Sequence, residues 1–468
     1  MRNVLLLIAL LFGGLLSAEP ATDITFEING LPNGWCRIIG MVGDQNYLSD
    51  TLLAENGVAR LQRETPLSGG LYYFVFPDQR TFVQFLADKD QQFTLKANRQ
   101  DLIGTLMVEG SEDNRLFAFN QQWERLWRIR YDSTDRALKA LPAGDLNQSF
   151  LKNKRDQLLQ ERQDHIESFS VEHPESFFTV FKMAGQNPDL TYPQKPGGGL
   201  DTLAQLMAYR GAYFDNVDFG DRRLLHTPVL ANKLKNYVEQ LTPQRPDSVI
   251  KYVSPIVDRS LKDDEMFKFI VNWLAIKYEK PKIMGGEKIL VHLVDTYFTD
   301  ARAFWYEDNP EELKKIRRKV DEMRVSMIGM KGQDLRCRNV NGEYESLYEL
   351  KAPIKVVYIY SYTCSHCKER TPVLVDLMKE WRAKGVEVFA LCNDPEEDKW
   401  KAFVEKYQMQ DLHNVIDPNY ESRYYKKYHI DVTPEAYVLD QNNTIIAKDL
   451  HPNQLPPVFE KALRKAGN

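Results

Sequence analysis

The sequence predicts a multidomain chain: an N-terminal all-β sandwich, a central all-α domain and a C-terminal α/β module. Three observations carry this. From Asp23 to about Gly110, short apolar-alternating runs are broken by Gly, Asn and Asp, the pattern of short strands and turns. After Asn114 the apolar residues recur every three to four positions, the helical period. From about Met330, strand-like and helical runs alternate. There the β-branched run Ile354 to Ile359 passes directly into a helical pattern of Val373, Leu374, Leu377, Met378 and Trp381.

The chain has 468 residues, 43% hydrophobic and 27% charged, with a net charge of −5. That length allows several domains, and that charge gives no footprint for nucleic acid. Met1-Arg2-Asn3, an apolar run from Val4 to Leu16, and Ser17-Ala18 read as a secretory signal peptide over 1–18. Cleavage is expected near Ala18, although Leu16 is an imperfect residue at the −3 position. The run is short for a membrane span, which leaves an uncleaved anchor as the alternative. A cleaved signal implies a periplasmic protein. No cysteine stands nearby, which argues against a lipid-modified N-terminus.

The β-sandwich is expected over 19–112. Its strands run through Ile24 to Ile28, Trp35 to Met41, Gly57 to Gln62, Leu71 to Phe76, Thr81 to Ala87 and Gln92 to Ala97. Asn29-Gly30 and Ser68-Gly69-Gly70 supply turns. The helical domain is expected over 113–327. Leu116, Phe119, Trp123 and Leu126 mark one face, and a long charged helix covers Leu146 to Phe169. Tyr192 to Gly199 reads as a loop. Thr227-Pro228 reads as an N-cap with proline at the first helical position. Further faces are Leu230, Leu234, Tyr237 and Leu241; then Met266, Phe269, Ile270, Trp273 and Leu274; then Leu313, Ile316, Val320 and Met323. Neither region holds a catalytic constellation, and their aromatic stripes read as core.

The α/β module is expected over 328–468. Leu335 to Val340 and Glu343 to Ser346 form a hairpin through Asn341-Gly342. The strand Ile354 to Ile359 then meets Tyr360-Ser361-Tyr362-Thr363-Cys364-Ser365-His366-Cys367-Lys368. The two cysteines thus sit where a strand hands over to a helix. Free N–H groups and a partial positive charge at a helix start stabilise a thiolate. A thiol placed there falls from about 8.5 to roughly 3.5–7.5. The C-x-x-C spacing sets Cys367 one turn behind Cys364. Cys364, on the exposed first turn, is the expected nucleophile, and Cys367 the thiol that resolves the mixed disulfide. Pro372 falls inside the helix and should kink it. Val386 to Leu391 is the next core strand. Helices are expected over Pro395 to Tyr407, over Tyr420 to Tyr428 and at the C-terminus.

Downstream, Asp431-Val432-Thr433-Pro434 leads into the strand Glu435 to Asp440, which turns at Gln441-Asn442-Asn443. With the cysteine stretch, this resembles the thioredoxin fold and, within it, the TlpA/ResA-like extracytoplasmic thiol-disulfide oxidoreductases. The resemblance spans about Ile328 to the C-terminus. It implies a cis bond at Thr433–Pro434 packed beside the cysteines, with Thr433 and Pro434 offering a docking edge to an extended substrate. It also implies thiol-disulfide exchange without a cofactor, and reduction or isomerisation of exported proteins with electrons from a membrane thiol carrier. Phe26, Ile28, Gly30, Leu31, Pro32 and Asn33 resemble the lead-in of a small β domain of unknown function that precedes such modules. The helical region resembles the linker domain found beside it. Some positions depart from the family. Tyr360 stands where Trp is frequent, Thr363 where an aromatic often precedes the first cysteine, and Arg370 where some members carry a Glu. Tyr358 takes the place of the buried aspartate of thioredoxin, which leaves no identifiable proton acceptor for Cys367.

Zinc would need a second ligand pair, and Cys337, Cys392, His413 and His429 do not supply one at metal spacing. A c-type haem needs His after the second cysteine, where Lys368 stands. A disulfide on one helical turn closes too little chain to act as a staple. Cys36, Cys337 and Cys392 read as small buried hydrophobes, with a second structural bridge left open. A disulfide-forming oxidase and a scaffold with a secondary redox module remain as alternatives. Ser365 and His366 bear on direction, because a histidine contact with the Cys364 thiolate stabilises the reduced form. One such contact, about 1–2 kcal/mol, is small against the roughly 7 kcal/mol between the about −270 mV and about −120 mV extremes of thioredoxin-like pairs. An intermediate potential is therefore expected.

Overall fold

The computed structural model describes residues 21–142 and 144–466. The predicted signal peptide lies outside the described residues. Among these residues, no helix is long and apolar enough to cross a membrane. The chain splits after Leu241 into two compact units, so the division falls inside the stretch read as one helical domain.

The first unit begins with eight strands: β1 (Thr22–Asn29), β2 (Gly34–Val42), β3 (Gln45–Ala54), β4 (Val58–Arg63), β5 (Gly70–Val75), β6 (Phe82–Ala87), β7 (Gln92–Asn98) and β8 (Met107–Glu109). They form two four-stranded sheets, ordered β4-β1-β7-β8 and β3-β2-β5-β6. Both sheets feed one apolar core, in which Ile24, Phe26 and Leu95 from one meet Ile38, Phe74 and Phe85 from the other. The Phe26 and Phe74 rings stack with centroids 4.0 Å apart. Burying side chains of this kind contributes roughly 1.5–3 kcal/mol each.

Helices α1 (Glu112–Ala140), α2 (Asn147–Glu172), α3 (Phe177–Ala184), α4 (Thr202–Ala212) and α5 (Pro228–Asn236) complete this unit. Thr227 caps α5 by accepting from the Val229 N–H, as its sequence predicts. The face expected for α1 is corrected. Leu116 is buried, but Phe119 and Leu126 are exposed, and Phe117 and Trp127 are buried instead. Two polar anchors set this rotation. Asn114 accepts the Leu86 N–H and donates to the Leu86 carbonyl, both at 2.7 Å. Asp113 accepts the Phe178 N–H at 3.0 Å.

The second unit opens with α6 (Pro246–Ser260), α7 (Asp264–Glu279), α8 (Glu287–Tyr297) and α9 (Pro310–Arg324). Then come β9 (Arg336–Asn339), β10 (Tyr344–Ser346), β11 (Ile354–Tyr360), α10 (Ser365–Trp381), β12 (Val386–Cys392), α11 (Glu397–Lys406), β13 (His413–Ile416), α12 (Tyr424–Lys427), β14 (Glu435–Asp440), β15 (Ile445–Lys448) and α13 (Pro456–Ala466). The expected helix over Tyr420 to Tyr428 shrinks to one turn, because Tyr420 and Arg423 take φ values of 58° and 54°.

The seven strands form one sheet, β10-β9-β13-β12-β11-β14-β15. β11 is an interior strand, parallel to β12 and antiparallel to β14. All seven of its residues are buried, which is why its sequence is apolar apart from Lys355. Its side chains alternate between two cores. Val356, Tyr358 and Tyr360 join Cys367, Leu374 and Trp400 on one face. Val357 and Ile359 join Leu391 and Tyr437 on the other. Cys392 belongs to the first core and Cys337 to the second, so the sheet separates them and they cannot bridge.

Candidate active site

The parallel strands β11 and β12 end on the same edge, and α10 starts there. Cys364 is the N-cap of α10, with extended backbone at φ −69° and ψ 128°. It is half-buried, whereas Cys367, one turn on, is fully buried against Tyr358 and Leu374. The Thr433–Pro434 bond is cis, as the resemblance implies. The Thr433 carbonyl lies at the site, where the Cys364 thiol donates to it at 3.2 Å. Cysteines, Thr433 and Pro434 thus come together from positions about 70 apart in the chain.

The two thiols differ in acidity. Burial pushes Cys364 up, but the Cys367 N–H and thiol, the Thr433 side chain and the His366 N–H outweigh it and hold Cys364 below its ordinary value. Burial also pushes Cys367 up, to about 12, against the Ser361 N–H, which donates to its sulfur at 3.4 Å. One turn of helix therefore carries an accessible sulfur held below its ordinary pKa and a sealed one pushed above it.

His366 needs a correction. Its ring is exposed and turned to the Glu369 carboxylate at 3.5 Å, so its backbone N–H, and not the imidazole, supports Cys364. Ser365 is exposed at the first helical position. Below the cysteines, the Tyr358 hydroxyl hydrogen-bonds the Thr371 hydroxyl at 3.0 Å, and burial raises its pKa far above the ordinary value. Tyr360 is buried and accepts from the Trp400 indole at 3.0 Å.

Sequence reasoning missed Asp394. This residue follows β12 and accepts hydrogen bonds from the Ser361 hydroxyl at 2.8 Å and the Tyr362 N–H at 2.7 Å. The available signal was position, since functional groups gather beyond the carboxyl ends of adjacent parallel strands.

Residues 328–448 match the AhpC/TSA family. The thiol-disulfide oxidoreductase ResA of Bacillus cereus is 23% identical over 26% of this chain and 68% of its own. ResA of Bacillus thuringiensis is 23% identical over 30% of this chain and 78% of its own. Among solved structures, a domain of a possible thiol-disulfide isomerase from Cytophaga hutchinsonii is 30% identical, over 30% of this chain and 97% of that one, with a TM-score of 0.28. A thioredoxin-like protein from Bacteroides caccae is 18% identical, over 60% of this chain and 99% of that one, with a TM-score of 0.48. By its C-terminal module, the chain is a TlpA/ResA-like thiol-disulfide oxidoreductase with a thioredoxin-like fold.

Proposed function

We propose that the chain is exported to the periplasm and exchanges disulfides with exported proteins through the Cys364-Ser365-His366-Cys367 pair, as a reductant or isomerase. The observation that carries this is the contrast between the two thiols of one helical turn: Cys364 accessible and lowered, Cys367 sealed and raised. Cys364 thiolate attacks a substrate disulfide, forms a mixed disulfide and expels one substrate thiolate. Cys367 then loses its proton and attacks the Cys364 sulfur, which closes the Cys364–Cys367 bond and releases the second substrate thiolate. Electrons pass between sulfur atoms, so no cofactor is required. Return to the dithiol needs a donor, in this reading a membrane thiol carrier.

Thr433 and Pro434 form the docking edge, supported by the contact between the Thr433 carbonyl and Cys364. The apolar run from Val4 to Leu16 supports export. We read the two N-terminal sheets as a sandwich, which the Phe26–Phe74 stack across them supports.

One observation favours a second reading. A lowered Cys364 stabilises the dithiol and makes the disulfide more oxidising. Equilibration of the full chain with glutathione decides between them. A value midway between about −270 and −120 mV fits a reductant or isomerase kept reduced by its donor. A value near the upper end, with the pair fully oxidised in the exported compartment, makes it a disulfide-forming oxidase.

A further inference from the structure

The segment between β11 and Cys364 has no regular structure, yet its backbone reaches the less reactive of the two sulfurs. Ser361 donates its N–H to Cys367 Sγ at 3.4 Å. What holds Ser361 in place is a carboxylate 33 residues downstream. One oxygen of Asp394 accepts the Ser361 hydroxyl at 2.8 Å, the Tyr362 N–H at 2.7 Å and the Thr363 N–H at 3.4 Å. Ser361 Oγ in turn accepts the Thr363 N–H at 3.1 Å. Asp394 thereby gathers the Ser361 hydroxyl and the Tyr362 and Thr363 N–H groups onto one side chain. Ser361 is itself buried, so an unpaired hydroxyl there is costly.

We propose that Asp394 is a positioning residue for the resolving step: it fixes the Ser361–Thr363 turn so that the Ser361 N–H faces the Cys367 sulfur as that sulfur becomes charged. This rests on the reading that Cys364 attacks and Cys367 resolves. The N–H stabilises the Cys367 thiolate, which then attacks Cys364 Sγ. The Cys364–substrate S–S bond breaks, the Cys364–Cys367 bond forms, the substrate leaves as thiolate, and the Cys367 proton goes to solvent. Asp394 touches no reacting atom. It acts on Cys367, not on the first attack by Cys364, whose own N–H donors belong to α10.

The test follows the glutathione adduct of the full chain by mass spectrometry after mixing the reduced protein with oxidised glutathione. Asp394→Ala is expected to lengthen the life of the Cys364 adduct about tenfold, the effect of one charge-assisted hydrogen bond, with adduct formation unchanged. Asp394→Asn, which keeps an acceptor oxygen, is expected to restore the lifetime to within about threefold. Ser361→Ala keeps the N–H but loses the hydroxyl link, and is expected to give an intermediate lengthening. An unchanged lifetime in both Asp394→Ala and Ser361→Ala overturns the proposal. So does slowing of formation and resolution together, or an Asn variant as slow as Ala. If Asp394→Ala does not fold, Ser361→Ala and Asp394→Asn decide alone: a lifetime unchanged in the first, or lengthened tenfold in the second, overturns it. A Cys367→Ser protein that forms no adduct at Cys364 refutes the underlying reading instead.

Discussion

The Cys364 sulfur lies 3.2 Å from the Thr433 carbonyl oxygen, on the N-terminal side of the cis bond to Pro434. In the reading proposed above, this is the edge along which an extended substrate would pair. Cys367 has no such access. In the reduced protein, alkylation is expected first at Cys364, through a midpoint below the ordinary 9.0, with Cys367 unmodified until strongly alkaline pH. Peptide mapping of a pH series checks this. Faster labelling of Cys367 reverses the assignment.

His366 tunes the site through its backbone. Proline at this second helical position is sterically tolerated but carries no N–H. Loss of that donor raises the Cys364 thiol, favours the disulfide and lowers the potential. His366→Pro is expected to shift it down by about 30 mV, equivalent to about one pKa unit. His366→Ala keeps the N–H and is expected to move it by less than about 10 mV. Equal shifts in the two variants would assign the effect to the imidazole.

Glu435 follows Pro434. Burial, with the Asp449 carboxylate second, pushes its carboxyl up to about 7, and the Tyr437 hydroxyl donates to it at 3.1 Å. The folded chain keeps a proton that the unfolded chain releases near the ordinary 4.5. The stability this proton carries is complete below about pH 4.5 and is lost as pH rises through about 7. Glu435→Gln is expected to flatten the fall across that window, by up to about 3 kcal/mol. Denaturant melts at pH 5 and pH 8 measure it. Parallel pH dependence in the two proteins contradicts the assignment.

The split after Leu241 bears on which fragment suffices. Lys448 on β15 faces Glu287 on α8 at 3.6 Å, with both side chains at most 7% exposed. A 242–468 fragment retains this pair, whereas a 328–468 fragment loses α8. Both are expected to reduce insulin disulfides. The shorter one is expected to be less stable by about 1–3 kcal/mol, the scale of stripping cover from a buried polar side chain. Loss of activity in a folded 242–468 fragment would give the N-terminal unit a part in the chemistry.

Legibility followed the physics of each element. β11 announced itself because all seven of its positions are buried, and the cysteine stretch because its spacing and position are local. β3 was missed because it lies at a sheet edge, its first four residues exposed and its alternation broken by Asn46, Ser49 and Asp50. β13 is four residues long and includes His413 and Asn414, too little for a period. The α1 face was misread because Asp113 and Asn114, polar residues that no apolar periodicity registers, set its rotation. Asp394 was passed over for a related reason, its position after β12 being the one signal it offered. An acid after a strand is ordinary until the fold brings it to Ser361.

The most direct test is a Cys367→Ser protein mixed with a disulfide-containing substrate protein and resolved without reductant. A persistent mixed disulfide is expected, one substrate per chain, mapped to Cys364 and abolished by adding Cys364→Ser. No adduct, or an adduct through Cys36, Cys337 or Cys392, would contradict it.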